Sequence, residues 1–275
     1  PDAEYIMMAM GSITETSREV VDYLNAKGSK VGILVVHLYR PFSTKYFLKV
    51  LPKTVKRITV LDRTKEPGAN GDPLYLDVKE VLYGTPNAPM ILGGRYGLSS
   101  KDTTPVQVIS VFENMESDKP MMHFTVGIDD DGTFTSLPLK PEISISDKGT
   151  FEAKFYGLGS DGTVGANKQA VDIIGSYTDM YAQAYFDYDS KKSGGLTMSH
   201  LRFGQKEIKA PYLINQADFI SCSNQSYIYK YDLLEGLKAG GIFLLNSTMP
   251  PEELEKKLPA KLKRQLAEKK AKFYI

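Results

Sequence analysis

Two rhythms of apolar and polar positions alternate along the first hundred residues. Short apolar runs, EYIMMAMGS from Glu4, KVGILVVHLYRPF from Lys30 and KRITVLDRT from Lys56, predict strands rich in β-branched residues. Between them the apolar spacing shifts to the helical period, in TETSREVVDYLNAKG, STKYFLKVLP and PLYLDVKEVLYG. Thr16 with Glu19 reads as a capping box for the first helix, Gly28 as its stop, and Pro41 as the opening of the second. APMILGGRYG and TPVQVISVFENMES close the series. Strands apolar on both faces and separated by helices predict a parallel sheet covered on both sides.

Around residue 117 the character changes. HFTVGI and TFTSL flank DDDG, a hairpin-like pattern, and residues 119–150 read as a β-excursion linking two domains. The α/β rhythm resumes at residue 151. FEAKFYGLG, MYAQAYFDYDS, ADFISCSN and GIFLLNST predict strands, and TVGANKQAVDIIGSYT and QSYIYKYDLLEGLKAG predict helices. Gly240 and Gly241 stand where the second of these helices would be capped. The charged tail from Pro251, interrupted by Pro259, reads as a solvated surface helix.

Composition narrows the partners more than the fold. The 275 residues suit two domains, and 42% hydrophobic content suffices for packed cores. Thirty-four basic residues against 33 acidic ones leave a net charge of +1, which argues against nucleic acid as the main partner. Cys222 is the sole cysteine, so the chain itself carries no disulfide framework, cysteine-held zinc or iron–sulfur cluster. No apolar run approaches the ~20 residues of a membrane span, and the start lacks a basic leader, so a reducing, cytoplasmic setting is expected. A start at Pro1 reads as a processed product or an excised piece. His37, His123 and His200 are scattered, which disfavours a metal site or a Ser/His dyad, and Cys222 reads as an inert core thiol. Arg95, after a strand, is a candidate for an anion or a domain interface.

The chemistry concentrates in FYGLGSDGTVGANKQAVDIIG. Gly157, Gly159 and Gly162 form G-x-G-x-x-G after a predicted strand and before a predicted helix. Bare backbone lets a phosphate approach main-chain amides, and the helix N-terminus adds about half a positive charge. Ser160 and Thr163 add hydroxyls, and Lys168 lies about one turn inside the helix. The competing reading is a tight crossover whose glycines serve packing alone. At the end of the next strand, Asp187 and Asp189 suit a ribose hydroxyl, and Lys191 and Lys192 suit a further phosphate. NADP and coenzyme A both fit that pattern, which does not choose between them. As plain loop charges, the two lysines need no ligand at all.

Taken in order, YRPFS, LDRTKEPGA, GGRYGLSSKDTTP, FYGLGSDGTVGANKQAVDIIG, DYDSKKSGGLTMSHLRFG and KAGGIFLLNS resemble successive segments of the pyruvate:ferredoxin (flavodoxin) oxidoreductase family. The resemblance covers essentially the whole chain. It implies two open-sheet α/β domains joined by the small β-excursion. Residues 1–118 would be transketolase C-terminal-like. Residues 151–275 would be a Rossmann-like, gamma-type coenzyme A-binding domain that stops short of the family's C-terminal continuation. Carried over residue by residue, it assigns Gly157, Gly159, Ser160, Asp161, Gly162 and Thr163, with Lys168, to a phosphate-cradling loop. Lys191, Lys192, Ser193 and Gly194 become a second basic turn, and Asn246 and Ser247 lie where open α/β sheets receive ligands.

The family's thiamine diphosphate domains, with their Mg, and its iron–sulfur domains have no counterpart here. The resemblance therefore implies no catalytic or metal-ligating residue in this chain. It implies partner domains on the same polypeptide, ferredoxin or flavodoxin as electron acceptor, and a homodimer as the full enzyme. Two other readings stay open: a structural, interdomain docking module, and an NADP-binding Rossmann domain.

Overall fold

The computed structural model describes residues 1–130, 132–188 and 194–275. They divide into two compact units, Pro1–Ile145 with Lys209–Tyr212, and Ser146–Ile208 with Leu213–Ile275.

In the first unit, strands β1 (Tyr5–Ala9), β2 (Val31–Val35), β3 (Arg57–Asp62), β4 (Met90–Tyr96) and β5 (His123–Val126) form one sheet in the order β2-β1-β3-β4-β5. Every neighbouring pair is parallel. Helices α1 (Ile13–Asn25), α2 (Thr44–Val50), α3 (Pro73–Leu82) and α4 (Pro105–Glu116) supply the crossovers. Met7, Ala9 and Leu61 pack with Ile13, Val20, Val111 and Phe112 of α1 and α4. Met8, Ile58 and Val60 pack with Phe47, Leu74 and Val78 of α2 and α3. Successive strand side chains thus enter opposite cores, the physical reason these strands read as apolar on both faces.

Several local expectations change. The α1 helix begins at Ile13, one turn before the expected box, so Thr16 is a buried helical residue. The α2 helix begins at Thr44, capped by the Ser43 side chain, and Pro41 lies outside it. Among the described residues the expected hairpin does not form: β5 joins β4 as a fifth parallel strand, and Thr125 and Ser136 make a single parallel bridge. Asp130 organises the intervening turn by accepting from the Gly132 and Thr133 amides. Within the first unit, Arg95 Nε donates to Asp72 Oδ2 at 2.8 Å.

The second unit contains β6 (Phe151–Leu158), α5 (Thr163–Tyr177), β7 (Tyr181–Tyr188), β8 (Leu196–Gly204), β9 (Ala217–Cys222), β10 (Leu237–Leu245), α6 (Pro251–Lys257), α7 (Ala260–Glu268) and β11 (Lys272–Tyr274). Its six-stranded sheet runs β11-β10-β9-β6-β8-β7. The β8 strand is antiparallel to both neighbours, β6 and β7, and so departs from an all-parallel Rossmann order. Ile220, Cys222, Phe243 and Leu245 face a core closed by Tyr227, Leu254 and Leu262. The β8 strand is hidden in the sequence because His200 and Arg202 interrupt its apolar pattern, and both find distant partners. Arg202 Nε donates to Glu152 Oε1 at 3.1 Å, and His200 Nδ1 accepts from the Ile214 amide.

The helix expected over 225–240 reduces to a short 3-10 turn, Gln225–Tyr229, because Gly236 is pressed against the Asn215 carbonyl and its own carbonyl accepts from Ala217. Gly240 and Gly241 lie inside β10, at an irregularity between Leu237 and Ile242, and Gly240 has φ +75°. The tail forms α6 and α7 on either side of Pro259, then adds β11 to the sheet edge. Among the described residues no helix is long and apolar enough to cross a membrane.

Candidate functional site

Three segments singled out above, the glycine turn after β6, the Gly194 turn before β8 and the end of β10, meet at one end of the second sheet together with the end of β9. The Gly159 amide donates to the Gly195 carbonyl at 2.8 Å. The Ser223 hydroxyl, just beyond β9, donates to Asp161 Oδ2 at 2.6 Å. Asn246, just beyond β10, donates from Nδ2 to the Ser223 carbonyl and from its backbone amide to the Cys222 carbonyl. This end of the sheet holds the C-terminal ends of three parallel strands, β6, β9 and β10, the place where open α/β sheets take ligands.

The three glycines do different jobs. A Cβ on Gly157 would lie 2.7 Å from Thr163 Oγ1 and 3.0 Å from Thr197 Oγ1, so this glycine lets the first turn of α5 pack against β6 and β8. A Cβ on Gly159 would meet the Gly195 carbonyl at 3.4 Å, which makes it a close approach between two turns. Gly162 has φ +89° with open space around it, and it leads directly into α5. Only this third glycine combines a left-handed backbone with exposure. Ser160 also has positive φ, 72°, a conformation that costs a non-glycine residue about 1–2 kcal/mol.

Asp161 dominates the electrostatics. Its carboxylate accepts from the Leu158 amide (2.8 Å), the Thr163 amide (2.8 Å) and the Ser223 hydroxyl (2.6 Å). Partial burial opposes ionisation. The hydrogen bonds from Ser223, from the Thr163 side chain and amide, and from the Leu158 amide outweigh it and hold the carboxyl below its ordinary range. The Ser160 and Gly162 flanks of the turn remain exposed.

The other expected residues are placed as follows. Lys168 is exposed on α5, its ammonium 5.8 Å from the Phe186 ring centroid on the β7 side. Gly194 is exposed with φ +69°, and Lys191, Lys192, Ser193 and Asp189 lie outside the described residues. Ser247 Oγ donates to Gln225 Oε1 at 2.6 Å and accepts from the Met249 amide, which closes the loop beyond β10. Asp187 sits near the end of β7, with β8 intervening between β7 and β6.

The residue-level reading missed Ser223, Tyr227, Asn167 and Thr197. Tyr227 donates its hydroxyl to the Gly157 carbonyl at 3.4 Å, and Asn167 donates to the Thr163 carbonyl at 2.9 Å. Ser223 was within reach of the sequence, since it ends a predicted strand beside Cys222. Among the described residues no group of three or more His, Cys, Asp or Glu side chains is arranged to hold a metal.

Comparison with known sequences places this chain among the oxidoreductases. The family profile for pyruvate ferredoxin/flavodoxin oxidoreductase matches residues 152–275, and that for pyruvate:ferredoxin oxidoreductase core domain II matches residues 3–108. The chain belongs to the pyruvate:ferredoxin/flavodoxin oxidoreductase family. It is 61% identical to the pyruvate-flavodoxin oxidoreductase of Enterobacter agglomerans over 276 aligned residues, covering 100% of this chain and 24% of that one. It is 59% identical to the pyruvate:ferredoxin oxidoreductase of Moorella thermoacetica, covering 100% and 23%. Among solved structures, a pyruvate oxidoreductase subunit from Thermotoga maritima aligns with a TM-score of 0.33 and 22% identity over 40% of this chain and 57% of that one. The chain thus spans about a quarter of the length of these curated relatives.

Proposed function

We propose that this chain is the coenzyme A-binding part of a pyruvate:ferredoxin/flavodoxin oxidoreductase, which converts pyruvate, coenzyme A and oxidised carrier to acetyl-CoA, CO2 and reduced carrier. Thiamine diphosphate with its Mg and the iron–sulfur clusters would be carried by other domains of the same polypeptide. Those groups supply carbanion stabilisation and electron transfer. This chain would bind and orient the thiol acceptor.

One observation carries the reading: the exposed glycine turn, the Gly194 turn and the ends of β9 and β10 converge on one hydrogen-bonded end of the sheet at the mouth of α5. The Gly162 backbone, the Ser160 and Thr163 hydroxyls and the helix terminus would hold the pyrophosphate. Lys191 and Lys192 are assigned to the 3′-phosphate on charge alone. An NADP reading is weakened because β8 separates the strand bearing Asp187 from the strand that opens the glycine turn. A purely structural reading is favoured at Gly157, whose missing side chain makes room for Thr163 and Thr197.

Calorimetric titration of the chain with coenzyme A, dephospho-coenzyme A and NADPH tests the assignment. Coenzyme A should bind, with dephospho-coenzyme A weaker by about tenfold or more, as expected for the loss of a charge-assisted contact. Equal affinity for the two removes the lysine assignment, and no binding of either removes the reading.

A further inference from the structure

The donors that make the glycine turn attractive to a phosphate are already engaged by an anion belonging to the chain. Asp161 takes the amides of Leu158 and Thr163, one on each side of the turn, together with the Ser223 hydroxyl. Its position at the positive end of the 15-residue helix α5 is where a phosphate oxygen gains most. A carboxylate and a phosphate cannot share these donors without repulsion at contact distance.

A second, independent feature lies beneath the turn. The Thr197 hydroxyl, 8% exposed, has no hydrogen-bond partner among the described residues, and neither does Asn167 Oδ1, 3% exposed. Thr197 Oγ1 and Thr163 Oγ1 both lie within 3.0 Å of the point where a Gly157 side chain would begin. The Thr163 amide now serves Asp161. The Thr163 hydroxyl and the orphaned Thr197 hydroxyl both border the space a Gly157 side chain would fill, so polar groups stand ready beneath the turn when that amide is taken by a ligand.

We infer that Asp161 is an internal competitor for the ligand's phosphate, latched to Ser223 in the free state and displaced when a phosphate takes the Leu158 and Thr163 amides. This rests on the coenzyme A reading and adds its regulation. Binding is charged for breaking the latch, so a ligand without phosphates gains nothing by opening it. Asp161 is a positioning residue here.

The test is titration of the unaltered chain, Asp161→Asn and Ser223→Ala with coenzyme A, inorganic pyrophosphate and pantetheine, with melting curves to verify folding. Asp161→Asn should tighten coenzyme A and pyrophosphate by about tenfold, the scale of one charge pair at partly screened contact distance. Ser223→Ala, which keeps the carboxylate but loosens its latch, should tighten both by a smaller factor. Pantetheine should respond to neither change. If the unaltered chain binds coenzyme A and Asp161→Asn binds it equally or more weakly, the competition is refuted while the coenzyme A reading survives. If coenzyme A does not bind at all yet pyrophosphate tightens on Asp161→Asn, the competition stands and the coenzyme A reading fails. Should Asp161→Asn not fold, Ser223→Ala decides: unchanged or weaker pyrophosphate binding overturns the proposal.

Discussion

Glu152 and Arg202 meet at 3.1 Å across the antiparallel β6–β8 pair, each side chain only 2% exposed. The carboxylate also accepts from Ser146 Oγ and Lys238 Nζ, and Lys238 reaches on to Asp218 of β9. A chain of charges therefore crosses four neighbouring strands, β8, β6, β9 and β10, on one face of the second sheet. Removing Arg202 takes a charge-assisted bond from a buried carboxylate, leaving Lys238 as its cation. Arg202→Met should destabilise the second unit by about 3–5 kcal/mol, whereas adding Glu152→Gln should recover part of that loss. Hydrogen exchange of the β6 and β8 amides under mild denaturant reads the effect in this unit alone. Equal protection in Arg202→Met and the unaltered chain refutes the assignment.

His200, opposite Lys154 on the same strand pair, is the pH-sensitive element of this sheet. Burial first, then the Lys154 and Arg202 charges, push its imidazole down from 6.5 to about 3. The ring is held neutral, Nδ1 accepting from the Ile214 amide. Because the folded value is depressed, the unfolded chain binds the extra proton between those two values. Stability from this residue is therefore complete above the unfolded value and falls as the pH drops toward 3, by up to about 1.4 kcal/mol per pH unit. His200→Asn should flatten the slope of stability against pH between about pH 4 and pH 6, relative to the unaltered chain. Denaturant midpoints across that range check it, and an unchanged slope contradicts it.

Cys222 is a packing residue whose chemistry is suppressed. Burial pushes its thiol up to about 11, and Sγ donates to the Asn224 carbonyl at 3.2 Å. It sits with Ile220 and Leu245 in the second core. A thiol reagent should leave the native chain unmodified at neutral pH and label one site per molecule after denaturation. Rapid labelling of the native chain would place the thiol outside the core.

The fold was most legible where local pattern and long-range packing agree. In the first unit Met7 and Met8 enter opposite cores, so consecutive apolar residues announce a strand covered on both faces. The glycine turn was legible because Leu158 ends a strand and Thr163 opens a helix within a few residues. Strand β8 was not, because the burial of His200 and Arg202 depends on Ile214 and Glu152, distant in sequence. The segment 225–240 misled in the opposite sense. Its helical spacing is genuine, but Gly236 is trapped against Asn215, and the backbone turns instead. At the candidate site the glycines were visible as a motif, while their division of labour was not. That Asp161 fills the mouth of α5 follows from Ser223, a residue 62 positions away.

That division of labour yields a direct comparison of two alanine substitutions. At Gly157 the new methyl would collide with Thr163 Oγ1 and Cβ, at 2.7 and 2.8 Å, both fixed to the first turn of α5. Gly157→Ala must push the helix off the sheet, and overpacking of this kind costs about 1–3 kcal/mol. At Gly162 the methyl meets nothing within 4 Å, and the cost is the left-handed backbone alone, about 1–2 kcal/mol. The two changes therefore separate in what they disturb. Gly157→Ala should lower the melting temperature and loosen the α5 amides in hydrogen exchange. Gly162→Ala should leave the α5 interior protected and weaken phosphate binding per folded molecule. If both variants lose stability alike and bind coenzyme A as the unaltered chain does, the glycines serve packing throughout, and the turn is a crossover with no ligand to hold.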